Sequence, residues 1–483
     1  MRERRLGREP TQRARSPLSG RAAPVVAAVA LLALVPAGIY DALLICAGGP
    51  GLFAPVPHGL TFNSMLVHLL HGSFAVDPAA IGDEGSLRNG ATYAYFGILP
   101  ALLRGVFLPA ADFATTDFTR LGCLAAVMVM SFFKLLSALT VWRAAGRPDR
   151  RLLLMLLAAA ILLSGPQIQF LRASLFEEPI LWAGACAAAF VYLALRAYHS
   201  PQGFTPGVLA ALALAAGLCL LTRVSTALGL YAACGLLWIR CARQRRRGAR
   251  LRLLLPLAIL AAFVAVAGVV NDARWGNPLM FNDPHLYLWA LRHSPDRLAR
   301  TGQYGQFNLA RIWYGVIYYL VPLWVVPTGD GSLLWSAFQH RMIDAVELPP
   351  SSFLVSDPLL VGLALYALLH LVRRRDIARP GIVAAVLLGL CVPIGLMLTA
   401  TSMTFRYRLE FYPFLEFCAF IGFGRLLRDP AAPPRLRFAA ATVAGIVLSH
   451  ALWVLYMATP FGPASTVMGP TDVISFYRSV LRL

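Results

Sequence analysis

Eleven long, uninterrupted apolar runs punctuate this 483-residue chain, and they leave the bilayer as the only solvent in which it can fold. They cover residues 24–47, 121–142, 152–166, 178–197, 206–222, 225–240, 252–270, 357–372, 380–402, 411–427 and 436–458. In hydrocarbon every backbone N–H and C=O must be bonded within the protein, so a span is either a helix or part of a closed barrel. A barrel would show alternating segments of about 10 residues, whereas these runs are continuous. The expected fold class is an all-α polytopic membrane protein with about eleven transmembrane helices. Composition agrees: 58% of residues are hydrophobic, 14% are charged and mean hydropathy is +0.65. A soluble domain could not keep such a surface in water.

The net charge of +20 raises nucleic acid as a partner. The distribution argues against it, because the arginines gather in short segments between apolar runs, the pattern that fixes orientation in a membrane. Residues 1–23 carry seven Arg against two Glu and read as a cytoplasmic basic tail. The run after it exceeds the ~7–15 residue core of a cleaved signal, so it reads as a retained first span. Arginine-rich connections follow at 143–151, 240–252, 373–379 and 425–437. All four share the tail's side only if two apolar stretches, 96–112 and 312–327, do not cross. Each is broken by proline (Pro100 and Pro109; Pro322 and Pro327), which suits re-entrant or interfacial hairpins. The transmembrane domain is then 24–458, with two large extracytoplasmic loops at about 48–120 and 271–356, and 459–483 forms an extracytoplasmic tail. The expected location is a bacterial cytoplasmic (inner) membrane. The eight cysteines lie in or beside apolar runs without CxxC spacing, so they read as packing residues, and the nine histidines show no metal spacing.

Chemistry on the outer face has few places to sit. Asp83 and Glu84, between glycines and ahead of the rings of Tyr93, Tyr95 and Phe96, would serve as a general base or hold a divalent cation. The plainer reading is a solvated turn before an interfacial aromatic belt. Arg406 and Arg408, in Thr404–Pro413, run against the positive-inside trend. Guanidinium forks suit a phosphate, and the alternative is an intramolecular pair with Glu410 or an acid of the large loops. Arg223 and Arg274 also flank spans on this face, as do Glu177, Glu178, Asp272 and Asp283. Within the spans, Asp41 and Glu416 sit toward outer helix ends within reach of the outside. Lys134, the only lysine, reads as a snorkelling side chain.

The long first outer segment, together with YAYFGILPALL (93–103), GLCLLTRVS (217–225), NDARWGNPLMF (271–281) and FRYRLEFYPF (405–414), resembles bacterial membrane glycosyltransferases of the GT-C superfamily, including the protein mannosyltransferase-like branch. The resemblance implies a polyprenyl-phosphate sugar as donor, reaction on the non-cytoplasmic face, and an envelope glycan, lipid or protein as acceptor. It implies that Asp83 or Glu84 deprotonates the acceptor hydroxyl, and that Arg406 and Arg408 hold the lipid phosphate with Arg223 and Arg274 assisting. In that superfamily the acid follows the first span closely, whereas Asp83 lies 36 residues beyond Ala47. Asp41 and Asp77 are therefore rivals for the base. No metal site and no definite cofactor follow from the sequence. The alternatives are a transporter or flippase of lipid-linked glycans, which should line a midplane path with polar residues, and a non-catalytic envelope subunit.

Overall fold

The computed structural model describes residues 22–46, 51–244, 251–293, 295–320, 345–346, 352–373, 379–429, 435–459 and 478–482. Every apolar run forms a helix: α1 Pro24–Ile45, α2 Thr119–Ala145, α3 Arg151–Leu163, α4 Glu177–His199, α5 Pro206–Leu220 and α6 Val224–Gln244. The series continues with α7 Leu254–Trp275, α8 Pro358–Val372, α9 Pro380–Thr399, α10 Tyr412–Arg428 and α11 Arg435–Ala458. Eight helices among the described residues are long and apolar enough to cross a membrane. Helix α3 is counted among them through its continuation over Pro148–Gln169, while α5 and α8, of 15 residues each, and α10, of 17, are shorter. The chain is a multi-pass helical membrane protein.

The first helix shows how such a chain packs. Val25, Val29, Leu32, Val35, Ile39 and Leu43 form an exposed stripe at helical spacing, while Ala27, Ala30 and Ala37 face inward. Large apolar groups gain nothing by leaving lipid, whereas small residues let helix axes approach. The closest neighbours in the bundle are α2 with α4, α6 with α9, α8 with α10 and α5 with α7.

The described parts of three arginine-rich connections lie at one end of the bundle. Arg428 donates to the Ala144 carbonyl at 3.1 Å, Arg150 to that of Asp429 at 3.3 Å, and Arg379 to those of Tyr198 and Ser200 at 3.3 and 3.4 Å. The outer segments gather at the other end. Of the stretch 96–112, residues Leu99–Arg104 make a helix of only 6 residues, followed by one 3₁₀ turn, so it does not cross. It is pinned by buried Arg104, which donates to Asn63 Oδ1 at 2.6 Å and Glu178 Oε2 at 2.5 Å. Of the second stretch, Ile312–Leu320 is a helix of 9 residues. At 1.5 Å per residue it rises about 14 Å, under half the hydrocarbon thickness. Residues 321–344, the basic tail 1–21 and the tail from 460 to 477 lie outside the described residues.

A small hairpin joins the two outer segments. Strands β1 Ser86–Arg88 and β2 Ala91–Tyr93 pair across Asn89 and Gly90, whose φ of 52° and 80° are those of a type I′ turn, the kind Asn-Gly favours. Its first strand is flanked by bonds from Leu87 N to Leu286 O and from Leu288 N to Gly85 O, both 3.0 Å.

Candidate cationic cavity

At the loop end lies a cavity of about 300 Å³ whose walls include Phe176 and Ile180 at the start of α4, Phe281, Phe307, Met397 and four further sequence-distant segments. Those four are Tyr95–Ile98 of the first outer loop, Leu220–Ser225 at the turn between α5 and α6, the end of α7 with Arg274, and Arg406–Tyr407. Each of these four segments overlaps one of the four motifs that carry the family resemblance. Gly97 allows the closure: a Cβ there would overlap the backbone carbonyl of Leu221, and Leu99 N donates to that same oxygen at 2.8 Å.

Three of the four expected arginines line the cavity. Arg274 is 3% exposed and donates to Phe96 O at 2.8 Å and to Met65 Sδ at 3.6 Å, both uncharged acceptors. Arg406 lies over the Phe176 ring at 4.5 Å. Arg223 stacks on Tyr407 at 5.2 Å and is ion-paired to Glu410, a buried carboxylate that also accepts from Ser225 Oγ at 2.5 Å and Thr226 Oγ1 at 2.6 Å. No Asp or Glu lines the cavity among the described residues. The pocket therefore combines guanidinium groups with aromatic faces, which suits an anion carrying an apolar or sugar portion.

The fourth arginine goes elsewhere. Arg408 is 0% exposed, sits between the rings of Phe353 and Phe405, and bonds Ser356 Oγ at 2.5 Å and Asp357 Oδ2 at 3.1 Å. Arg406 and Arg408, expected to act as a pair, therefore do not face one cavity; Arg406 shares its cavity with Arg223 and Arg274. Residues Phe405–Phe411 form a 3₁₀ helix, where each residue turns the chain by about 120°, so two arginines two apart leave on different sides. In a strand they would have shared a face.

None of the four acids considered as base lines the cavity. Glu84 accepts from the Tyr287 hydroxyl at 2.6 Å, and the Tyr287 ring stands edge-on to Tyr95, a cavity wall, at 5.8 Å. Asp83 is held by Arg292 and by His293 Nε2, the latter at 2.9 Å; the His293 hydrogen bond, then the Arg292 charge, keep its carboxyl below the usual value. Asp77 accepts from Ser64 Oγ at 2.7 Å and lies 3.2 Å from His68 Nε2. Those bonds, Ser64 first, lower its pKa. Asp41 is buried in α1, which packs on α2 and α3, and it is not open to the outside as expected.

Two further expectations change. Lys134 does not snorkel: it is 4% exposed, bonded at 2.6 Å to Glu416 and at 2.9 Å to Gln167 Oε1. Glu416 is correspondingly buried rather than reachable from outside. Glu177 and Glu178 are structural as well, the first taken up by Ser174 and Tyr456, the second by Arg104. No group of three or more His, Cys, Asp or Glu that could hold a metal occurs among the described residues.

No family model matches the chain, and no curated protein does. Solved structures do. The archaeal oligosaccharyltransferase AglB from Archaeoglobus fulgidus, in complex with an inhibitory peptide and a dolichol-phosphate, superposes with a TM-score of 0.50 at 12% identity, over 96% of this chain and 58% of that one. The Archaeoglobus fulgidus oligosaccharyltransferase in its apo form gives a TM-score of 0.52 at 13% identity, over 95% and 58%. This chain spans under three fifths of the length of those enzymes. At such identities the likeness establishes the fold alone, which this chain shares with the part of those enzymes that it covers.

Proposed function

We propose that this GT-C-fold chain transfers a sugar from a polyprenyl-phosphate donor to an envelope glycan, lipid or protein on the extracytoplasmic face. The observation that carries the reading is the convergence of Arg223, Arg274 and Arg406 on one aromatic-lined cavity at the loop end. When the bond between the sugar's anomeric carbon and the phosphate oxygen breaks, negative charge grows on the leaving lipid phosphate. Pre-positioned guanidinium groups stabilise that charge without reorganising. An archaeal neighbour of the same fold binds a dolichol-phosphate, which supports a lipid phosphate as the anion.

The acceptor proton needs a base, and Glu84 is the acid we assign. Its hydrogen-bond partner Tyr287 packs edge-on against Tyr95 of the cavity wall, so the acceptor must enter beside that ring to meet the carboxylate directly. Asp83 and Asp77, by contrast, are bound to Arg292 and Ser64, which do not line the cavity, and Asp41 is buried in a span. The test is transfer of labelled sugar from a synthetic polyprenyl-phosphate donor by the purified protein. In Arg406→Lys the donor KM should rise about 10- to 100-fold, because one charged hydrogen bond contributes about 1.5–3 kcal/mol and a point charge cannot replace the fork. Glu84→Gln should instead lower kcat by about 10²- to 10⁴-fold with donor KM little changed. Wild-type kinetics in Arg406→Lys would remove the phosphate from the proposal.

A further inference from the structure

At the arginine-rich end a second cavity, of about 270 Å³, opens between α4 and α5. It is remote from the cationic cavity. Ile180, which lines the first, and Arg196, which lines the second, lie on the same helix, about 24 Å apart at 1.5 Å per residue. The second cavity is divided by chemistry. Its walls within the bundle are apolar, from Leu193 and Ala197 on α4 and Val208 and Ala211 on α5. Its rim is the turn between the two helices, with Arg196, Ser200, Gln202 and Thr205. No acidic residue lines it, and among the described residues no acid pairs with Arg196. Arg379 braces the same turn through the Tyr198 and Ser200 carbonyls, adding a second guanidinium beside the rim.

A free phosphate would need the rim alone, and a neutral lipid would need the slot alone. A slot running into the membrane beneath a cationic, hydroxyl- and amide-bearing rim matches a molecule with an acyl chain and an anionic head. We propose that the α4–α5 cleft binds an anionic phospholipid, its phosphate at Arg196 with Gln202 and Ser200, and one acyl chain between Leu193 and Ala211. The site is independent of the transferase reading, since it uses none of the residues of the cationic cavity.

The full chain, purified in detergent and mixed with equal amounts of phosphatidylglycerol and phosphatidylcholine of matched chains, is weighed by native mass spectrometry. Wild type should retain phosphatidylglycerol preferentially. Arg196→Gln, a change at an exposed position, should lower that retention about fivefold or more. Ala211→Phe, which fills the slot, should lower retention of both lipids. Arg252→Gln, exposed at the same end but outside the cleft, should leave retention unchanged. Unchanged retention in Arg196→Gln would overturn the site. So would an equal loss in Arg252→Gln, which would mean diffuse attraction, or displacement of the lipid by millimolar inorganic phosphate.

Discussion

Two arginines two residues apart illustrate how side chains of one type divide between a cavity wall and the packed bundle. Arg406 reaches the cavity wall, while Arg408 is sealed in the bundle against Asp357, which also accepts from the Tyr412 hydroxyl at 3.1 Å. A buried pair broken on one side leaves an uncompensated charge, a loss of about 3–5 kcal/mol. Arg408→Met should therefore lower the thermal midpoint in detergent markedly. Arg406→Met, at a cavity wall, should leave it within a few degrees of wild type while weakening donor binding. Equal midpoints for the two variants would contradict the division. Nothing in the local sequence separates these arginines, because the acid that takes Arg408 lies 51 positions away.

At the level of elements, the Ser86–Tyr93 hairpin and the 285–293 segment act as one unit beside the cavity. Besides the backbone bonds, the unit is latched by Asp83 on Arg292 and His293. The Asp83 carboxyl is depressed below 3.8, so its contribution is complete above the unfolded-state value and is lost as pH falls through the folded-state value. Hydrogen-exchange protection of the Leu87 and Leu288 amides, corrected for intrinsic rates, should hold from neutral pH down to about 4 and decline below it. Asp83→Asn should show the reduced protection already at pH 7. Equal protection there would make the latch incidental.

Taken whole, the molecule has two chemically distinct ends, one collecting arginine-rich connections and the other the long loops and the cationic cavity. From arginine bias we propose that the first end faces the cytoplasm. Reporters fused after Arg247 and Arg375 should be cytoplasmic, and those near Gly302 and Ser465 extracytoplasmic. A reporter after Arg247 that is active outside would invert the assignment and move the proposed transfer to the cytoplasmic face.

The sequence by itself determined where the helices lie and which connections share an end, because hydropathy and arginine bias are sums over neighbouring residues. It also pointed to four of the segments that line the cavity, though not to the start of α4, Phe307 or Met397. Only the tertiary structure decided which side chains within those segments meet. Arg223 and Glu410 are 187 residues apart, Arg274 and Phe96 are 178 apart, and Lys134 and Glu416 are joined across two helices. In a low-dielectric bundle a buried charge must find a partner, and which partner is available depends on helix rotation and packing rather than on spacing along the chain.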